Sequence, residues 1–215
     1  MKKAAIIDLS HTFMPGMPVF PGDRPPDFYI NSTVEDNGYK ETLLSMSAHT
    51  GTHLDTPCHI LQNGKTITDM EITRFYGKGC LIDCSELKPG EVIKTALLRK
   101  YESLIKVADF VLLYTGISNL WGMPEYFKVF PVLDDRAARY LLQFNLKGIG
   151  MDTPSADPVK SSNLEIHNIL LTGNLVIIEN LTNLDSLTDK NFYFCCFPLK
   201  IDGGDGSPIR AIAIL

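Results

Sequence analysis

Short apolar runs alternate along the chain with segments of helical spacing, and turn residues separate the two kinds. Residues 79–84, 110–114 and 175–178 are largely apolar runs, with the length and composition typical of buried strands. Residues 42–48 instead alternate apolar and polar side chains, which predicts a half-buried strand. Weaker patterns predict further strands at residues 1–8, 148–151, 192–198 and 209–214.

Three segments have the spacing of helices. Residues 94–106 carry their apolar side chains on one side, and residues 134–144 begin with an aspartate pair that can cap a helix. The pattern of residues 163–171 predicts a short helix that is capped by one of the preceding serines. A Pro- and Gly-rich stretch at residues 14–26 predicts an irregular loop. Helices and strands mixed in this order predict a single α/β domain, residues 1–215, with a mixed sheet.

Composition narrows the functional class. The chain has 215 residues, of which 45% are hydrophobic and 21% charged, as is ordinary for a globular protein. The net charge of −5 argues against a broad basic surface, so we expect no nucleic-acid partner. No apolar run approaches the roughly 18–20 residues that a membrane-spanning helix needs, so we expect no membrane partner.

The cysteines favour a reducing compartment. The chain has five, an odd number, and Cys195 and Cys196 are neighbours, which rarely bridge to one another. We therefore expect free thiols and a cytoplasmic protein. No Cys-x-x-Cys pair is present, so a zinc site built on thiolates is not expected. Cys58 and His59 are adjacent, so in an extended segment they point apart, which argues against a nucleophile–base pair.

Three of the five histidines lie within eleven residues, in the segment His49-Thr-Gly-Thr-His53-Leu-Asp55-Thr-Pro-Cys-His59. Imidazole and carboxylate groups are suitable ligands for zinc, manganese or iron. His53 and Asp55 are two residues apart, so an extended segment would place them on the same side. A bend at Gly51 could bring His49 to the same place. Three protein ligands would leave coordination positions open, as in catalytic metal sites.

A second pair of candidate ligands lies downstream. His167 falls in a predicted short helix, and Glu179 ends a predicted strand. A carboxylate at the end of a buried strand is costly unless it is paired or bound to a metal ion. Asp55 and Glu179 together could bridge two cations, as in two-metal hydrolytic sites. Taken alone, His167 is more simply a surface or hydrogen-bonded histidine, and Glu179 an exposed residue.

Other polar residues have a structural interpretation beside the functional one. His11 is more simply structural than part of the site. Ser155 and Asp157 could support metal ligands through hydrogen bonds, or could form a turn beside the neighbouring prolines. The Gly203-Gly-Asp-Gly segment is interpreted as a turn, since it lacks the spacing and the lysine of a phosphate-binding loop.

The histidine-rich segment resembles the His-x-Gly-Thr-His-x-Asp-x-Pro-x-His signature of the cyclase family, which includes bacterial kynurenine formamidases and isatin hydrolases. Supporting motifs follow in the family's order over almost the whole chain: Asp8-Leu-Ser-His11, Pro21-Gly-Asp23, Asp152-Thr-Pro-Ser155-Ala-Asp157 and Gly203-Gly-Asp205-Gly-Ser-Pro208. The resemblance implies a swivelling β/β/α fold. It also implies an assembly of several copies, a homodimer or homotetramer.

The resemblance implies roles for individual residues. Five residues match the family's metal ligands: His49, His53, Asp55, His167 and Glu179. Asp55 and Glu179 match the ligands that bridge two divalent cations, so we expect two Zn²⁺ or Mn²⁺ ions per chain. His59 matches the residue assigned as general acid and base.

The implied activity is hydrolysis of a C–N amide bond in a small molecule. We expect an arylformamidase that converts N-formylkynurenine to kynurenine and formate, a step of tryptophan catabolism. Two alternatives stay open: a hydrolase of cyclic amides or lactones such as isatin, and a catalytically silent protein that binds a metal or ligand. Family formamidases tend to carry Trp before Pro-Gly-Asp, where this chain has Phe20. Phe20 would line the substrate pocket with a smaller ring that lacks the indole donor.

Overall fold

A large mixed sheet is the centre of the computed structural model, which describes residues 5–215. The strands in chain order are β1 (Ile6–Asp8), β2 (Asp27–Ser32), β3 (Glu41–Ser45), β4 (His53–Asp55), β5 (Tyr76–Asp83), β6 (Val92–Ile93), β7 (Phe110–Tyr114), β8 (Val132–Leu133), β9 (Gly148–Met151), β10 (Val176–Glu179), β11 (Phe192–Cys195), β12 (Gly206–Pro208) and β13 (Ile212–Ile214). Nine of them form one sheet in the order β1-β13-β11-β5-β7-β9-β10-β4-β12. The pairs β2–β3 and β6–β8 are separate. The predicted α/β fold with a mixed sheet is confirmed.

The helices are short. They are α1 (Val34–Asn37), α2 (Thr95–Lys100), α3 (Glu102–Ile105), α4 (Asp135–Leu141) and α5 (Glu165–Thr172). Single 3-10 turns occur at Pro57–His59, Ile67–Asp69, Ile72–Phe75, Ile117–Leu120, Pro124–Phe127 and Leu184–Leu187. Over residues 5–215, none of the helices has the length and apolar character required to span a membrane.

Two apolar layers cover the two faces of the central strands. Neighbouring side chains of β7 alternate between them: Val111 and Leu113 belong to the layer that includes α4 and α5, and Phe110 and Leu112 to the other. The strands β5, β7, β9 and β10 are parallel to one another. Parallel strands that are covered on both faces consist of continuous apolar runs, which is why the sequence pattern located them.

The strand β4 lies near one edge of this sheet, antiparallel to both β10 and β12. In this register His53 lies opposite Glu179, and Asp55 lies opposite Gly206. The sheet therefore brings together residues from distant parts of the chain at one point. The candidate site is built there.

Residues 94–106 form two helices rather than the single helix that the spacing predicted. The helices α2 and α3 meet at Tyr101, whose φ of −105° and ψ of 10° are not helical. Leu98 and Ile105 are both fully buried, while Leu104 is 45% exposed. The two short helices thus bury Leu98 and Ile105 but leave Ala96 and Leu104, which one continuous helix was expected to bury, exposed.

The strand prediction at residues 42–48 is right in type but wrong in burial. The strand β3 spans Glu41–Ser45, and all five of its residues are exposed. It pairs with β2 alone, and Leu43 and Leu44, which point to opposite faces of the strand, are 59% and 46% exposed. The predicted half-burial is absent because no other element of residues 5–215 packs closely on this hairpin.

Candidate metal centre

The strand β4 supplies the first two site residues. Side chains two residues apart in a strand share a face, and His53 Nε2 lies 3.3 Å from Asp55 Oδ1. Glu179 ends the neighbouring strand β10, with its Oε2 3.6 Å from His53 Nε2. All three side chains are buried. The structure thus brings together these three predicted ligands.

A bend at Gly51 brings His49 to the same place, as the sequence predicted. Gly51 has a φ of +64°, in the left-handed region that glycine adopts without strain. His49 Nδ1 lies 2.7 Å from Asp55 Oδ1. The Nδ1–H of His53 donates to the carbonyl of Gly51 at 2.8 Å, which directs its Nε2 towards Asp55.

His167 enters the site from α5. Its Nε2 lies 3.2 Å from Glu179 Oε1 and 3.6 Å from Asp55 Oδ2. Its Nδ1–H donates to Asp157 Oδ2 at 2.7 Å. Asp157 therefore supports a predicted ligand through a hydrogen bond, which is the functional one of its two interpretations from sequence. The capping serine expected for this helix was wrong: the first-turn N–H groups of Ile166 and His167 donate to Asp157.

Asp55 is the centre of the cluster, and one of its oxygens suggests what the cluster holds. Asp55 Oδ2 is buried and has no hydrogen-bond partner among the described residues. A buried carboxylate oxygen without a partner is costly, whereas a bound cation satisfies it. The surrounding donors are imidazole nitrogens and a second carboxylate, a set that suits zinc and manganese. The residues therefore fit a divalent metal ion.

Two groups of side chains have donor atoms within 4.8 Å of one another, and Asp55 belongs to both. One group is His49, Asp55 and His59, and the other is His53, Asp55 and Glu179. Asp55 is thus the carboxylate common to both groups of candidate ligands.

His59 lies at the end of the 3-10 turn that follows β4. Its ring is 4.1 Å from that of His49 and 6.1 Å from that of His167, measured between centroids. The resemblance assigns His59 to proton transfer rather than to metal binding. Its position beside the cluster accommodates either role.

The electrostatics of the site centre on Asp55. Burial acts to raise its pKa, but the charge of His53 and hydrogen bonds from neighbouring histidines hold that pKa well below its ordinary value. Burial acts to lower the pKa of His49, yet hydrogen bonds to Asp55 and Asp205 raise it to about 9. Burial lowers the pKa of His59, so this ring is neutral near pH 7. Without metal, the cluster therefore holds protons where cations would bind.

A cavity of about 260 Å³ opens onto the cluster. Phe20 and Phe127 line it, in an edge-to-face arrangement with ring centroids 6.3 Å apart. Ser155 also lines the cavity. His11 is not among the lining residues and stacks on Trp121 at 3.9 Å, in keeping with its structural interpretation.

One polar residue of the site was missed. Asp205 lies in the glycine-rich segment interpreted as a turn, but its Oδ2 lies 3.0 Å from His49 Nε2. Asp205 belongs to a motif that resembles one of the family's, yet nothing local in the sequence connects it to a histidine 156 residues away.

Comparison with known proteins places these observations in a family. The family model "Cyclase", described as "Putative cyclase", matches residues 7–158. The chain is 32% identical to a kynurenine formamidase of Bacillus thuringiensis subsp. konkukian over 213 residues, 99% of this chain and 98% of that protein.

Solved structures share the fold over the whole chain. Isatin hydrolase A from Labrenzia aggregata, bound to benzyl benzoate, is 26% identical with a TM-score of 0.89, covering 99% of this chain and 94% of that one. A structure described as a potential metal-dependent hydrolase with cyclase activity is 25% identical with a TM-score of 0.81, covering 99% and 98%. The fold, the histidine-rich motif and the full-length similarity agree, and the chain belongs to the cyclase family.

Proposed function

We propose that this protein is a metal-dependent hydrolase of a small amide, and that its substrate is N-formylkynurenine, cleaved to kynurenine and formate. The observation that carries the proposal is the buried cluster around Asp55, whose Oδ2 has no hydrogen-bond partner among the described residues, in a cavity that Phe20 and Phe127 also line. The full-length similarity to kynurenine formamidase supports the substrate.

Five residues are proposed to bind the metal: His49, His53, Asp55, His167 and Glu179. The chemistry of these donors and the description of a structural neighbour both support a divalent metal. We propose zinc or manganese, with two ions per chain that share Asp55 and Glu179. A divalent cation held there lowers the pKa of a water molecule and polarises a carbonyl oxygen.

His59 supplies the proton transfers. Because its pKa is lowered, its ring is neutral near pH 7 and can accept the proton of the water that attacks the formyl carbon. When the C–N bond breaks, His59 returns this proton to the leaving amine nitrogen. Phe20 and Phe127 provide apolar walls against which an aromatic ring of the substrate packs.

The proposal is tested by formate release from N-formylkynurenine. The protein is stripped of metal and then refilled with zinc or manganese, and the rate is measured in each state. We expect turnover in a refilled state and none in the stripped state. A refilled protein that does not cleave N-formylkynurenine would reject this substrate.

A cyclic amide such as isatin is the second candidate substrate. A solved isatin hydrolase shares the fold with a TM-score of 0.89. In this chain Phe20 lacks the indole donor expected of formamidases. Isatin opening, measured in parallel, distinguishes the two substrates. A catalytically silent binding protein would turn over neither, and the presence of a neutral His59 beside the cluster argues against it.

We further propose that the protein is cytoplasmic and forms a homodimer or homotetramer. All five cysteines are free, which suits a reducing compartment. The hairpin of β2 and β3 exposes Tyr29, Ile30, Leu43 and Leu44, between 46% and 67% each. An isolated two-stranded hairpin is marginally stable in water, so packing against a second copy would stabilise it. Light scattering after gel filtration measures the mass, and a monomer would reject the assembly.

A further inference from the structure

Residues 203–206, which the sequence predicted to form a turn, lie beside strand β4 and are hydrogen-bonded to Thr56, the residue that follows it. The carbonyl of Asp205 accepts hydrogen bonds from the N–H of Thr56 at 2.9 Å and from its hydroxyl at 3.0 Å. A Cβ on Gly206 would lie 2.6 Å from His49 Cε1, so the segment can approach His49 only with glycine at this position. The backbone of Asp205 therefore has a defined place beside the site.

The side chain of Asp205 points from this backbone towards two histidines. Its Oδ2 lies 3.0 Å from His49 Nε2 and 3.7 Å from His59 Nδ1. The opposite nitrogen of His49, Nδ1, lies 2.7 Å from Asp55 Oδ1. The His49 ring is thus held between two carboxylates, one inside the cluster and one at its rim.

We propose that Asp205 is a positioning residue that orients the rings of both His49 and His59. It accepts the Nε2–H of His49, which leaves Nδ1 to face a cation beside Asp55. Its negative charge also faces Nδ1 of His59, which favours a ring orientation with Nδ1 towards Asp205 and Nε2 away from it. The separation of 3.7 Å exceeds a hydrogen bond. Contacts of this kind often shorten once the ligands are bound.

The same site contains a matching arrangement. Asp157 accepts the Nδ1–H of His167 at 2.7 Å, and this directs His167 Nε2 towards Glu179 and Asp55. Histidines that bind metals commonly donate their second N–H to a carboxylate in this way. Asp205 performs for His49 what Asp157 performs for His167, from the other side of the cluster.

The first test reads the rings directly and does not depend on turnover. The chain has five histidines, so long-range ¹H–¹⁵N spectra of the zinc-loaded, histidine-labelled protein contain few ring systems. We expect Asp205→Ala to shift the ring nitrogens of both His49 and His59. Asp205→Asn, whose amide oxygen still accepts a hydrogen bond, should shift them less. Asp202→Asn, an exposed aspartate on the same turn, should shift neither. If the ring-nitrogen chemical shifts of either His49 or His59 were unchanged in Asp205→Ala, the proposal would be overturned.

The second test distinguishes an effect of Asp205 on the orientation of the histidine rings from an effect on metal retention. It rests on the proposed function. At saturating zinc and equal metal content, we expect Asp205→Ala to lower kcat by about 10- to 100-fold with KM within about 3-fold. Asp205→Asn should recover part of the loss. In a His59→Ala background the Asp205 substitutions should have a much smaller effect, because one of the two oriented rings is gone.

The outcomes distinguish failure of the positioning role of Asp205 from failure of the proposed hydrolase function. A loss of kcat that only follows the loss of zinc would overturn the positioning role. An undiminished loss in the His59→Ala background would overturn the action through His59. If the zinc-loaded wild type cleaves neither amide, the proposed function fails, and the ring spectra still decide the role of Asp205.

Discussion

Asp157 holds His167 by two kinds of hydrogen bond at once. Its Oδ2 accepts both the ring Nδ1–H at 2.7 Å and the backbone N–H of His167 at 3.0 Å. Its Oδ1 accepts the N–H of Ile166 at 2.9 Å. One carboxylate therefore sets both the start of α5 and the direction of the ring, so that His167 Nε2 faces the cluster.

The first prediction concerns this carboxylate. Asp157→Ala frees the His167 ring and removes a partner from two N–H groups of α5, so we expect zinc to bind about 10- to 100-fold more weakly. Competition with a chromophoric chelator measures the dissociation constant. Asp135→Asn, at a half-buried aspartate in the first turn of α4 that pairs with Arg139, is the control and should leave it unchanged. Equal affinity in Asp157→Ala and in the control would contradict the supporting role.

The second prediction concerns Asp55. It contacts both groups of candidate ligands, so Asp55→Asn removes the shared charge without changing the volume of the side chain. We expect this variant to bind no zinc after gel filtration and to show no turnover. Mass spectrometry of the metal content provides the measurement. Full metal content in Asp55→Asn would exclude Asp55 as the shared ligand.

Substitution of His59 distinguishes a role in proton transfer from a role in metal binding. We expect His59→Ala to retain zinc and to lose about 10²- to 10⁴-fold in kcat, as is typical for loss of a general acid–base group. Metal content and turnover are measured on the same preparation. Complete loss of zinc would instead make His59 a ligand in the group with His49 and Asp55.

The pH dependence of stability follows from the raised pKa of His49. In the metal-free protein this pKa is about 9, above the ordinary value of 6.5. Its contribution to stability is therefore fully present below pH 6.5 and is lost as pH rises through about 9. The shift corresponds to at most roughly 3 kcal/mol, reduced by solvent screening because the ring is partly exposed.

Urea unfolding in the presence of a chelator measures this loss. The free energy of unfolding of wild type should fall between pH 6.5 and pH 9. In His49→Gln this fall should be smaller but still present, because His53 and His167, whose pKa values are also raised, remain. With zinc bound the trend should reverse, because metal binding requires His49 to be deprotonated. The same fall with pH in wild type and His49→Gln would rule out His49 as its source.

Substitution of Phe20 should change substrate binding more than the rate of the chemical step. It lines the cavity and packs against Phe127, at some distance in the chain from the ligands. We expect Phe20→Ala to raise KM for an aromatic amide by about tenfold, equivalent to ~1.4 kcal/mol, with kcat nearly unchanged. Phe197→Ala, at a 45% exposed position that does not line the cavity, is the control. A fall in kcat at constant KM would place Phe20 in the chemical step instead.

Local spacing was enough to predict part of the site. His53 and Asp55 share a face because the two-residue period of a strand is a local property. Gly51 supplies a local bend that brings His49 to them. His167 and Glu179 were already candidate ligands, and the resemblance to the cyclase family implied that they join this cluster, although no local pattern connects them to this segment.

The remaining relationships depend on pairing between distant strands. Asp205 reaches His49 because β12 lies beside β4, although 156 residues separate the two side chains. The alternation in β3 was read as half-burial, but burial depends on what packs on the strand, which the strand's own residues do not specify. The break at Tyr101 likewise lies within a spacing that also fits one continuous helix.

The most direct test of the central claim is amide hydrolysis measured while zinc is titrated into the stripped protein. The account predicts that formate release from N-formylkynurenine rises in proportion to bound metal and saturates when the sites around Asp55 are filled. Asp55→Asn should show neither binding nor turnover under the same conditions. Turnover by the stripped protein equal to that of the filled protein would contradict the account.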